Sequence, residues 1–352
     1  MNAPDTAHHV DLPAFAEPHA HLDKAFLAEL IPNPTGDLMG AIQAMDAHQH
    51  LITHDDTVAR AVRAARLLHA NGCTAIRTHA DTIARNPDPL GSVRALIEVR
   101  ERLRDLVEIQ VVALCGWPTN GAAGAEQRAA LRDAIAIGVD AVGGCPHLED
   151  DPVAANDFFL TIAAEAGLPL DLHTDETLDP RIFALDDLST RVVATGFPHA
   201  VTASHCVSLG VQPAEVQQRV AEQVAAAGIS VVVLPHTNLF LQGRDHTSPM
   251  PRGLTAVKAL RAAGVTVAAG GDNLQDPFNP VGRGDPLETA GLMIMAAHLL
   301  PDEAVACVST AARSAMGLPP SQDLVRVASA TVREAIALAP MGRTISRISS
   351  HR

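Results

Sequence analysis

The chain has 352 residues, 47% of them apolar, and a formal net charge of −14. This length can bury a large core, as two ordinary domains or as one closed barrel, and the acidic balance argues against nucleic acid or anionic membranes as partners. There is no apolar run of about 20 residues, and residues 1–10 carry Asp5, His8 and His9 where a signal peptide would be basic and then apolar, so the chain reads as cytoplasmic.

Short β-branched or apolar runs fall in chain order at 13–17, 74–78, 108–114, 140–143, 168–172, 200–204, 230–234 and 265–270. Between them lie amphipathic stretches at 55–70, 93–106, 126–137, 152–166, 213–227 and 254–263, several of them ended by glycine. Thr53-His54-Asp55-Asp56 reads as a capping box for the first, and Val58, Val62, Ala65 and Leu68 share one of its faces. Eight such β-α units predict an α/β fold, a (β/α)8 TIM-type barrel over 13–322, with 1–12 and 323–352 as terminal extensions. A doubly wound sheet is the structural rival, but His19-Ala20-His21 stands where its glycine-rich phosphate loop would follow the first strand. The five cysteines are scattered and never paired as CxxC, which argues against a disulfide framework or a structural zinc knuckle.

The strand assignment brings distant residues to one rim. His19 and His21 follow the first strand, His173 the fifth, His205 the sixth and Asp272 the eighth, all at the C-terminal ends where barrels build active sites. Residues two apart on extended chain face the same way, so His19 and His21 can share one ion. Histidine and carboxylate ligands without cysteine suit Zn2+ or Fe2+ with an open position, where a bound water can lose its proton near neutral pH. Glu176, three residues after His173, is the expected general acid/base. His205 either completes the metal shell or hydrogen-bonds the attacking oxygen.

At these residues the chain resembles the amidohydrolase superfamily, in the branch containing bacterial cytosine deaminases and N-isopropylammelide amidohydrolases. The resemblance runs in order through Glu17-Pro18-His19-Ala20-His21-Leu22-Asp23-Lys24, Arg77-Thr78-His79-Ala80-Asp81, His173-Thr174-Asp175-Glu176, Thr202-Ala203-Ser204-His205, Leu241-Gln242-Gly243-Arg244 and Gly271-Asp272-Asn273. It implies a single divalent ion on His19, His21, His173 and Asp272, with Glu176 carrying protons while His205 and Asp272 orient or deprotonate water. Two-metal relatives use a carboxylated lysine after strand four, and neither lysine here, Lys24 or Lys258, is near that position. The family's accessory β-sandwich is expected to be reduced or absent.

Three departures bear on the substrate. Cytosine deaminases carry Pro-Gln after strand three, where this chain reads Leu114-Cys115-Gly116-Trp117-Pro118. Asn273 replaces an acidic residue after the metal aspartate, and Lys24 resembles the ammelide-hydrolysing side. Lys24, Cys115, Trp117, Gln242 and Asn273 are therefore the substrate-binding candidates. For Lys24 the competing reading is a solvated cation at a helix start, and for Trp117 a cover on the barrel rim. Residues 236–252 read either as a lid carrying Gln242 or as a surface loop. His79, Asp81 and His147 are candidates for a supporting shell.

The expected activity is metal-dependent hydrolysis of a C–N bond, other than a linear peptide, in a small nitrogen heterocycle, with exocyclic deamination ahead of cyclic-amide ring opening. A metal-binding sensor without catalysis is the alternative, against which Glu176 stands, since binding alone needs no proton shuttle. A nucleic-acid deaminase lacks support because its His-x-Glu and Pro-Cys-x-x-Cys signature is missing. A small heterocyclic substrate is the expected partner, with homo-oligomerisation left open.

Overall fold

The computed structural model describes residues 8–347. The segments 1–7 and 348–352 of the expected terminal extensions lie outside the described residues. After β1 (Val10–Pro13) come eight parallel strands: β2 (Phe15–Ala20), β3 (Cys73–Thr82), β4 (Glu108–Cys115), β5 (Ala141–Gly144), β6 (Leu170–Thr174), β7 (Val201–His205), β8 (Ser230–Val233) and β9 (Val267–Ala269). Each pairs with the next in sequence, in the order β2 to β9. Parallel neighbours need crossovers, and the helices between the strands supply them. They include α1 (Leu38–His48), α2 (His54–Ala70), α3 (Gly91–Leu103), α4 (Ala125–Ile137), α5 (Pro152–Ala166) and α6 (Ala184–Thr195).

No strand ladder joins β9 to β2, and the barrel closes there through a short seam. Asp272 N donates to His19 O at 3.1 Å and His21 N to Asp272 O at 3.2 Å, with Ala20 and Asp272 forming an isolated parallel bridge. The Glu17 carboxylate reinforces it, accepting from Gly271 N at 2.9 and 3.1 Å and from His19 N at 3.3 Å. A Cβ at Gly270 would fall on this carboxylate, so glycine lets the two chains approach.

The expected first strand, 13–17, differs from what is present. Pro13 ends β1 and β2 runs on to Ala20, so His19 lies inside a strand; His173 and His205 likewise lie inside β6 and β7. The ladder continues to the rim because the backbone there is buried and must be hydrogen-bonded. In α2, Thr53 Oγ1 accepts from Asp56 N, half of the expected box. The segment 236–252 is partly ordered as a helix, Pro235–Leu241, and is not wholly loop.

Two apolar layers hold the barrel. Between strands and helices lies a continuous core that includes Phe15, Leu96, Phe159, Leu172 and Leu188; each large side chain buried there contributes about 2–3 kcal/mol. Inside, the lower mouth is filled by Ala312, Ala315 and Met316 against Ala16, Ala75, Val232 and Ala268. Directly above, Arg77 donates to Asp171 Oδ2 at 2.8 Å, Gln110 Oε1 at 2.9 Å and the carbonyls of Ala315 and Met316 at 3.2 and 2.7 Å, which satisfies a buried cation. The chain ends add a three-stranded antiparallel sheet in the order β1, β10 (Leu324–Val327), β11 (Thr344–Ser346), whose Val325 and Val327 join the main core. No helix among the described residues is long and apolar enough to cross a membrane.

Candidate active site

The upper rim gathers side chains from β2, β6, β7 and the turn after β9. His19 Nε2 and His21 Nε2 each lie 3.1 Å from His173 Nε2, and Asp272 Oδ1 lies 3.6 Å from His19 Nε2 and 3.3 Å from His21 Nε2. Burial, followed by neighbouring imidazoles, holds His19 and His173 well below the ordinary histidine pKa, so both carry free lone pairs. Both Asp272 oxygens are buried without a hydrogen-bond partner, although burial is outweighed by His21 and His205, which keep the carboxyl below its ordinary value.

Four lone-pair donors converging without donors of their own are costly unless a cation joins them. With metal–ligand distances of about 2.1 Å, neighbouring ligand atoms in a coordination shell stand roughly 3.0–3.4 Å apart. The observed separations fall in or near that range, so His19, His21, His173 and Asp272 fit a divalent metal.

Their supports fix ring orientation. His19 Nδ1 donates to Ser204 Oγ at 2.9 Å, and the Ser204 hydroxyl faces Asp171 Oδ1 at 3.4 Å. His205 Nδ1 donates to Asn238 Oδ1 at 3.0 Å, which leaves Nε2 unprotonated, buried and without a partner, 4.0 Å from Asp272 Oδ2. His79 lies against His19, ring centroids 4.0 Å apart, with neither ring nitrogen hydrogen-bonded. His147 Nδ1 donates to His173 O at 3.0 Å, and burial lowers its pKa to about 4.

Glu176 faces this cluster, its Oε1 3.5 Å from His205 Nδ1. Burial, then the charge of Asp272, pushes its carboxyl well above the ordinary glutamate value, which favours the proton-carrying form. Gln242 is not on the cavity wall; its amide donates to Glu176 O at 3.1 Å and braces the backbone.

The cavity above the cluster has a polar floor of His21, His173, His205, Asp272, Glu176 and Asn273. Asn273 accepts from Thr237 Oγ1 and donates to Asp276 Oδ2 at 2.8 Å. Lys24 is also on the wall but only 5% exposed, and no helix begins there, so the solvated helix-start reading does not hold. Its ammonium lies 2.7 Å from Asp81 Oδ1, 3.5 Å from Asp23 Oδ1 and 3.3 Å from His21 Nδ1. Burial opposes its charge, but Asp23 and Asp81 outweigh that and raise its pKa.

Cys115 is placed elsewhere. Strand alternation turns Leu114 into the cavity and Cys115 outward, where its sulfur accepts from Gln127 of α4 at 3.4 Å. Trp117 does line the cavity. Beside it stand residues to which the sequence assigned no role: Arg85, Phe278 and the inward face of α1, with Leu38, Ile42 and Met45. The 4- and 3-residue spacing of those three after the N-cap Asp37 signals a helix, but not the cavity it covers.

The chain belongs to the amidohydrolase family, whose sequence pattern matches residues 63–321. It is a hydrolase acting on carbon–nitrogen bonds, in a metal-dependent family to which the rim cluster conforms. Among its relatives, a pterin deaminase of Rhizobium rhizogenes is 36% identical over 322 residues, covering 90% of this chain and 72% of that one. N-isopropylammelide isopropyl amidohydrolase of a Pseudomonas species is 25% identical, covering 79% and 66%. The structure of 5-methylcytosine deaminase from Klebsiella pneumoniae with 5-fluorocytosine superposes with a TM-score of 0.87 at 28% identity, covering 99% and 88%.

Proposed function

We propose that this protein removes an exocyclic amino group from a six-membered nitrogen heterocycle of the 2-amino-4-oxo kind found in pterin, releasing ammonia, with one Zn2+ or Fe2+ ion on His19, His21, His173 and Asp272. The observation that carries this reading is geometric: a buried glutamate, Glu176, stands with its Oε1 3.5 Å from His205 Nδ1, beside the converging donors. A binding protein has no use for a proton-carrying group there. The pterin deaminase relative supports the choice of ring. Leu114 and Trp117 line the cavity from the segment where cytosine deaminases carry Pro-Gln, which favours a ring other than cytosine.

When bound, the cation supplies a Lewis acid that makes water more acidic near neutral pH. Glu176 gives its proton to a ring nitrogen as water adds to the adjacent amino-bearing carbon. It takes a proton from the added water and passes it to the departing amine. The C–N bond then breaks, ammonia leaves, and the carbon keeps the oxygen as a carbonyl while that oxygen's remaining proton returns to Glu176. His205 Nε2, its ring held through Nδ1 by Asn238, accepts a hydrogen bond from the incoming water, and Asp272, 4.0 Å from that nitrogen, helps orient it. Lys24, fixed by Asp81, places a positive charge for a ring oxygen.

Ammonia release and product mass, measured with Zn2+- or Fe2+-loaded protein across pterin, isocytosine, cytosine and aminotriazines, test the reading. Expected is metal-dependent ammonia from 2-amino-4-oxo rings. A hydrated product without ammonia would show ring opening instead, and no product from any ring would remove the deaminase assignment.

A further inference from the structure

The cavity has a second tier that attack at one ring does not use. Above the polar floor the wall is apolar, built from Ile42, Met45, Ile83, Leu148 and Phe278, with the indole of Trp117 half-buried among them. Arg85 stands at this level, its guanidinium carbon 5.4 Å from the Trp117 ring centroid. The same guanidinium holds both carboxylate oxygens of Asp46 on α1, at 2.9 and 2.8 Å. The rim charges are thus already paired, and the tier makes no demand for a charged substituent. A single ring bound over the floor leaves these apolar walls facing water, whereas a flat second ring covers them.

We propose that Trp117, Arg85 and the inward face of α1 form an outer subsite for a neutral second ring fused to the ring that reacts, making Trp117 a specificity-determining residue. This rests on the deaminase reading for the ring that enters first, but the subsite itself stands on the wall. The amino-bearing ring of pterin, taken alone, is isocytosine, so the two compounds share a reacting edge and differ by the fused ring.

Trp117 is the single tryptophan and the chain has no tyrosine, so tryptophan emission reports this wall alone. The test combines that emission, in metal-loaded Glu176→Gln protein where turnover is suppressed, with kcat and KM for both compounds in wild type, Trp117→Ala and Trp117→Phe. Pterin should quench Trp117 saturably with energy transfer into its own emission, and isocytosine should not. Trp117→Ala should lower kcat/KM for pterin on the order of ten-fold more than for isocytosine, mainly through KM, and Trp117→Phe should restore most of the difference. Equal losses on both compounds, or turnover of pterin by wild type with no change in Trp117 emission at saturation in the Glu176→Gln protein, would overturn the subsite. Saturable quenching by pterin without ammonia release by wild type would uphold the subsite and sink the deaminase reading. Should Trp117→Ala fail to fold, Trp117→Phe and the emission measurement decide alone.

Discussion

The floor of the cavity and its outer wall are built under different constraints. His21, His173, His205 and Asp272 of the floor sit on strand ends or the turn after β9 with their backbones in the barrel's hydrogen-bond network, and Glu176 follows β6 with its carbonyl held by Gln242. The wall comes from α1 and from the turns after β3, β4, β5 and β9, and Met45 of α1 packs with Leu27 and Ile31 in a small cluster separate from the main core. Reacting groups thus ride on the most rigid part of the fold, while selecting groups ride on a part that can change without disturbing it. The comparison predicts large effects on chemistry from the floor, large effects on stability from the seam beneath it, and small effects on stability from the wall.

Glu176→Gln should show the largest effect, a fall in kcat of about 10²–10⁴-fold with metal content and thermal unfolding retained. Steady-state ammonia release beside metal analysis checks it, and a variant of near wild-type rate would remove Glu176 from proton transfer. Next is the seam. Glu17→Ala leaves Gly271 N without its acceptor and should cost about 1–3 kcal/mol in urea unfolding, with faster metal loss to chelator. An unchanged midpoint would mean that the two backbone bonds at Asp272 close the barrel unaided.

Arg85→Ala tests the wall. The Arg85–Asp46 pair is substantially exposed, so stability should change by less than about 1 kcal/mol, while Trp117 emission shifts as the guanidinium leaves its ring. A larger loss in calorimetry would show the wall to be part of the scaffold.

A pH-dependent effect concerns the turn joining floor to wall, where Asp276 binds Asn273 Nδ2 and Phe278 N. Burial pushes its carboxyl up to about 6 from 3.8, against the lowering by those bonds. The folded state therefore keeps a proton that the unfolded chain releases first. Its stabilising contribution is complete below pH 3.8 and is lost as pH rises through about 6. Denaturant midpoints at about pH 4 and about pH 7 should show wild type losing ground to Asp276→Asn as pH rises; a constant difference would contradict this.

Much of the floor was legible in the sequence, because strand periodicity and the order of the His and Asp motifs carry both topology and placement. The eight barrel strands appear at the expected places with shifted ends. Cys115 was misplaced by one step of strand alternation, which spacing from a motif does not reveal without the register. Gln242 was read as reaching the substrate, but its amide serves the Glu176 backbone. Of the wall only Trp117 was singled out in the sequence: Met45, Arg85 and Phe278 are far from it along the chain and line the same cavity only when the barrel closes. Glu17 was visible within a motif, yet its task exists only at a seam that strand assignment does not show.

The most direct measurement is a titration of metal-stripped protein with Zn2+ or Fe2+, following ammonia release from pterin against bound metal. Activity should rise linearly from zero and level off at one ion per chain. Ammonia release without metal, or a rise continuing to two ions, would contradict the single-ion floor.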